Sequence, residues 1–179
     1  MTEVLKSSNA KPAVTIRTLP AMRAATFGYC GPASEVSNAF AKLEAFVQGA
    51  GIGPAGPLLC SYSQLIEPSV QPIAADRVQL ELLLMVPVTR LIEGHGQPFR
   101  MRRFSSQRAA CFTWRGPLSA AFRAQHQEIF CWLEQEGLPY QGSRHQHAFL
   151  ARDGDIWTVE IRVPLLPFAD LASGTVHSQ

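Results

Sequence analysis

The chain is short of charge and lacks the motifs that mark most common chemistries. Charged residues make up 17% of its 179 positions, and the net charge is only +2. So small a surplus predicts neither nucleic-acid nor membrane-surface binding. No apolar run could span a bilayer, since the longest, Leu80 to Val88, already holds Glu81. Met1 to Lys11 is polar and has no leader-like apolar region, so the expected location is cytoplasmic. The cysteines, Cys30, Cys60, Cys111 and Cys131, form no CxxC pair. That argues against a structural zinc site and for small buried or half-buried residues in a reducing compartment. There is no phosphate loop, no dinucleotide fingerprint, and no glycine elbow around Ser61 or Ser63. No cofactor is expected.

What is present is a repeat. Val14–Ser34 and Phe99–Ser119 align without a gap at a shift of 85 residues. The identities are Arg17/Arg102, Arg23/Arg108, Ala24/Ala109, Ala25/Ala110, Phe27/Phe112, Gly31/Gly116, Pro32/Pro117 and Ser34/Ser119. Each Gly-Pro opens a helix, because proline suits the first helical position. Helix one, about 32–48, carries Val36, Phe40, Leu43 and Val47 on one stripe. Helix two, about 117–135, carries Leu118, Phe122, His126, Ile129 and Leu133. Gly49 or Gly51 and Gly137 supply the C-terminal caps.

Two strands follow each helix: Leu58–Ile66 and Val78–Val88, then His147–Arg152 and Ile156–Leu165, with a tight turn at Asp153-Gly154. The expected architecture is α+β. Two β-α-β-β units, 14–88 and 99–166, are related by a pseudo-twofold axis in an antiparallel sheet. Both helices lie on one side and a groove lies between the halves. Residues 1–13 and 167–179 read as loose tails, and Glu93–Pro98 as a glycine-rich link.

Strand parity nominates the site. In the last strand Trp157, Val159, Ile161 and Val163 share one face, and Thr158, Glu160 and Arg162 the other. Ahead of the helices, Phe27 and Tyr29 match Phe112 and Trp114, and the opposite face is small: Ala24, Thr26, Gly28, Ala109, Cys111, Thr113. Small residues let a helix approach closely, so the rings are expected either to fill a core between the two copies or to line a cleft with Glu160. In that cleft a cationic ligand would pair with Glu160 and the rings would add cation–π attraction; Arg162 is a competing internal partner. On the equivalent strand Leu83 and Met85 hold the matching face. His145-Gln146-His147 reads as an exposed loop, His126 as a satisfied helix residue, and no metal site is expected because two imidazoles lack a third ligand. The arginines at 100, 102, 103 and 108 read as solvated.

The Gly-Pro helix start, the Trp132-Leu133 pair near the helix end and the final E-x-x-x-P-L strand, in that order and duplicated, resemble the GyrI-like domains. These are gyrase-inhibitor-like proteins and the effector-binding domains of bacterial transcription activators. The resemblance covers about Val14 to Leu166. It implies a groove that takes hydrophobic, often aromatic and cationic, small molecules, contacted by Glu160 before the final proline, by Tyr62 after the first helix and by Trp114. The full expected set is Glu160, Trp114, Tyr62, Tyr29, Phe27, Phe112 and Met85. Leu83 stands where many members carry a second acid, and Leu118 departs from the common residue after the second Gly-Pro. With only about 13 residues ahead of the first strand, no helix-turn-helix is expected there. The resemblance implies a stand-alone sensing or sequestering module. Its alternatives are a hydrolase of strained cyclopropane compounds using Glu160 and Tyr62, or a protein-binding gyrase inhibitor with a topoisomerase or regulator partner. A homodimer is also open.

Overall fold

The structure is a computed structural model that describes residues 13–62, 79–93, 98–118 and 120–167. Nearly all of both expected tails, most of the Glu93–Pro98 link and the end of the Leu58–Ile66 strand lie outside these residues. Eight strands form one antiparallel sheet: β1 (Thr15–Leu19), β2 (Met22–Pro32), β3 (Leu58–Tyr62), β4 (Gln79–Pro87), β5 (Phe99–Phe104), β6 (Gln107–Gly116), β7 (Gln146–Asp153) and β8 (Ile156–Pro164). Helix α1 (Val36–Gly49) follows β2, and α2 (Ala120–Gln135) follows β6. The fold is α+β, as expected.

The spatial order is β1-β6-β8-β7-β3-β4-β2-β5. Exchanging β1–β4 for β5–β8 reverses this order onto itself. The β-α-β-β unit read from the sequence needs one correction. The segment before each helix is two strands, broken at Pro20-Ala21 and at Ser105-Ser106. The first of each pair crosses to the other half: β1 pairs with β6, and β5 with β2.

Register assigns every side chain to a face. Tyr29↔Leu82, Tyr62↔Leu82, Cys60↔His147, His147↔Ile161 and Ile161↔Phe112 run across the sheet on one face. Both helices pack there. Under α1, Phe40, Leu43 and Val47 meet Ala25, Leu82, Leu84 and Val86. Under α2, Ile129 and Leu133 meet Ala110, Phe112, Ile161 and Val163. The buried leucine, isoleucine, valine and phenylalanine side chains among them each contribute about 1.5–3 kcal/mol of hydrophobic stabilisation, and the alanines less. The helices end alike. Gly51 and Gly137 take φ of 64° and 63°. Behind them, the Ile52 and Leu138 amides reach back to the Val47 and Leu133 carbonyls at 3.1 and 3.0 Å, the Schellman arrangement.

The repeated aromatic-x-Gly-Pro has a packing cause. A Cβ on Gly31 would lie 2.7 Å from the Tyr29 hydroxyl oxygen, and one on Gly116 would lie 2.7 Å from the Trp114 ring. Each ring folds back along its own strand over the bare glycine. Tyr29 is further held by donating to the Pro32 carbonyl at 2.6 Å. Gly116→Ala therefore forces the indole to move, and the expected cost is about 1–3 kcal/mol, as for other overpacked sites. Thermal unfolding measures it; an unchanged midpoint would show that the ring has room to shift.

Candidate functional site

On the helix side, a groove of about 370 Å³ lies over the β3–β7 seam. Helix α1 bounds it with Phe40 and Glu44, and Leu118, just ahead of α2, lies across from it. Its floor and far wall include Leu58, Tyr62, Phe149 and Trp157. The rings meet edge to face: Phe40–Phe149 at 5.9 Å and Phe149–Trp157 at 5.7 Å. The Arg152 guanidinium sits 4.8 Å over the Trp157 ring. The groove is thus largely apolar, with one carboxylate and one guanidinium at its border.

Glu160 lies on the other face. It is 6% exposed, and both carboxylate oxygens are engaged. Arg162 Nε donates to Oε1 at 2.6 Å, and Arg17 donates to Oε2. Arg17 comes from β1 and must cross β6 to reach β8. The small side chains of Ala109 and Cys111 leave that path open. Burial raises the pKa of the Cys111 thiol, opposed by its hydrogen bond with Arg17. At the position matching Glu160, Leu83 packs instead against a cluster of Ala24, Leu59, Met85 and Ala148.

The expected cleft of rings plus Glu160 is therefore corrected. Phe27, Tyr29, Phe112 and Trp114 face the helices, while Glu160 and Met85 face away, so the sheet stands between them. Phe27 packs on Phe99 at 5.4 Å, which stacks on Phe46 of α1 at 4.7 Å; Phe112 and Trp114 belong to the α2 core. Of the seven expected contacts, Tyr62 alone lines the groove. The pairing of Glu160 with Tyr62 as a hydrolytic couple fails for the same reason. The small faces that were expected to meet the helices instead carry Arg17 and Phe104 across them.

A second correction concerns histidine. His145 and His147 are not on an exposed loop: they are 0% and 3% exposed, and His126 is 8%. The three rings meet with centroids 4.7, 5.0 and 5.6 Å apart. His145 stacks on Tyr62 at 4.6 Å, 7° from parallel. Its Nδ1 lies 2.8 Å from the Gly142 carbonyl, and His147 Nδ1 lies 3.1 Å from the Tyr62 hydroxyl. Burial lowers all three imidazoles: His126 to about 4, with help from His145; His147 well below its usual value; and His145 less, opposed by its Gly142 bond. Neutral rings can crowd together where imidazoliums could not. Burial likewise pushes the Cys60 thiol up to about 12 and the Tyr62 phenol well above its usual value, so neither is a ready nucleophile. The sequence did hold a signal for this cluster. His126 occupies the buried stripe of α2, and His145-x-His147 has strand parity.

No family model matches the sequence, and no curated sequence is significantly similar. Solved structures do share the fold. The EcmrR C-terminal domain superposes with a TM-score of 0.69 at 13% identity, covering 87% of this chain and 98% of that one. A hydrolase from Listeria innocua gives 0.61 at 13% identity, covering 89% and 94%. SAV2435 bound to tetraphenylphosphonium gives 0.52 at 12%, covering 88% and 96%. In the EcmrR–DNA complex, this chain spans 57% of the EcmrR chain. The fold is the GyrI-like one that the sequence resemblance implied. Among the described residues no helix is long and apolar enough to cross a membrane.

The ionic cluster makes a prediction of its own. Glu160→Gln leaves Arg162, whose side chain is 16% exposed, beside an uncharged amide. The expected loss is about 1.5–3 kcal/mol of stability, the scale of a hydrogen bond to a charged group. Denaturant unfolding with a matched Arg17→Gln variant checks it. Arg17 is half exposed, so its variant should cost less; the reverse order would mean that Arg17 dominates the pair.

Proposed function

We propose that this chain is a small-molecule-binding domain and that its ligand lies in the helix-side groove. The observation that carries the reading is the convergence of Phe40, Phe149, Trp157, Leu58 and Tyr62 on one opening over the β3–β7 seam. Flat rings held at right angles to one another suit an aromatic or otherwise rigid apolar molecule, which loses little conformational freedom on binding. Glu44, half-buried in the wall, and the exposed faces of the rings favour a cation over an anion. The shared fold with SAV2435, seen with the aromatic cation tetraphenylphosphonium, supports the same class of ligand here.

The larger depression on the opposite face, about 720 Å³, is lined by Arg102, Arg103 and Arg144. A cation would be repelled there, and Glu160 is committed to its arginines. Sensing or sequestration of a hydrophobic compound therefore rests on the helix side, with Tyr62 kept as a contact and Glu160 as a structural residue.

Calorimetric titration with tetraphenylphosphonium and with neutral triphenylphosphine oxide tests the reading. Trp157→Ala and Phe149→Ala should each weaken both ligands about tenfold, the scale of one lost aromatic contact. Glu160→Gln, where folded, should leave both unchanged, and Glu44→Gln should weaken the cation alone. Binding that survives both groove variants but falls in Glu160→Gln would put the ligand on the other face and overturn the proposal.

A further inference from the structure

We propose that His126, His145 and His147 form a binding site for one divalent transition-metal ion of the zinc class, with a fourth position open to water or an exogenous donor. The candidate ligand atoms all lie within 4.8 Å of one another. A tetrahedral ion held at 2.0–2.1 Å by each nitrogen needs them about 3.3 Å apart. Drawing them in takes shifts on the order of 1 Å, within reach of small side-chain rotations. The ring centroids already sit at 4.7–5.6 Å.

The hydrogen bonds around the cluster orient it. Gly142 offers only a carbonyl oxygen, so His145 Nδ1 must carry the proton that bridges the 2.8 Å between them. That leaves the lone pair on His145 Nε2, an atom that is buried and makes no hydrogen bond. A buried imidazole nitrogen with its lone pair uncommitted is costly unless something fills it. His147 Nδ1 lies 3.1 Å from the Tyr62 oxygen, and in the tautomer in which Nδ1 donates to that oxygen, the lone pair is on Nε2, a buried atom. Fixing Nδ1–H by a backbone carbonyl or hydroxyl is how metal-binding histidines are held in one tautomer.

The donor set selects the ion. Three neutral imidazoles and no carboxylate suit zinc, cobalt, nickel or copper rather than magnesium or calcium, which demand oxygen. The three histidines come from α2, from the residue just ahead of β7 and from β7 itself. A bound ion would therefore tie the helix to the sheet directly behind Tyr62, which also lines the groove.

The test uses tag-free protein freed of metal by a chelator. Zinc titrated by calorimetry should bind at one equivalent and raise the unfolding temperature, because an ion that binds only the folded state stabilises it. Cobalt should give the intense visible bands of a tetrahedral site. His126→Ala and His147→Ala should each weaken zinc by at least about 100-fold, and Tyr62→Phe, which removes the partner of His147 Nδ1, by about tenfold. If the histidine variants do not fold, Tyr62→Phe and the wild-type thermal shift decide. A folded wild type that takes up no zinc and shows no thermal shift overturns the site. So does zinc affinity unchanged in His147→Ala, or in Tyr62→Phe where that variant alone can be measured.

Discussion

The register of β3 against β7 is the constraint on which the rest depends. The two four-stranded halves meet along this pair, with Leu58↔Phe149, Leu59↔Ala148, Cys60↔His147 and Ser61↔Gln146 opposite one another. Side chains alternate between faces, so a slip of one residue would exchange the two sets. In the observed register Phe149 and His147 stand on the helix side with Cys60 and Leu58. The groove and the histidine cluster therefore occupy the same face of one seam. Shifted by one, Gln146 and Ala148 would lie under the helices, and both features would vanish. The Tyr62 amide extends the pairing to the His145 carbonyl at 3.2 Å, which fixes the first histidine as well.

Much of the fold was legible because it rests on period and punctuation. Alternation from Trp157 to Val163 set the parity of β8, and Val159 with Glu160 fell on opposite faces as read. The helical stripes of α1 and α2, the capping glycines and a tight turn between β7 and β8 follow from local rules, though the turn residues are Gly154-Asp155 rather than Asp153-Gly154. The breaks at Pro20-Ala21 and Ser105-Ser106 were harder to see. They interrupt stretches that read as one strand, and the crossing of β1 and β5 to the opposite halves is a tertiary pairing that no local pattern encodes.

The site was less legible, because parity says which residues share a face but not which face meets the helices. The small residues of β2 and β6 suggested close helix contact. The structure uses that space for long side chains crossing from the edge strands, Phe104 in one half and Arg17 in the other. The rings went under the helices instead, and the glycines that receive Tyr29 and Trp114 are what fit them there. The cluster was missed because the third imidazole comes from a helix some twenty residues away in sequence, and spacing alone cannot bring it to β7.

The two halves share a strand order yet differ in chemistry at matched positions. Where one half places Leu83 in an apolar cluster, the other places Glu160 between two arginines. A carboxylate that already receives two guanidinium groups has little to offer a cationic ligand, because such a ligand would have to displace a partner that is covalently tethered nearby. Its neutralisation is local and complete, and its loss would be felt first as instability. On the proposed reading, recognition falls to surfaces that are not already satisfied: the rings of the groove, and behind them the buried His145 nitrogen. Tyr62 touches both, since its ring lines the groove and its hydroxyl meets His147. Any ion that fixed His147 would also fix the orientation of that hydroxyl, and through it one wall of the groove. One physical route by which this fold links the groove to the histidine cluster runs through that phenol.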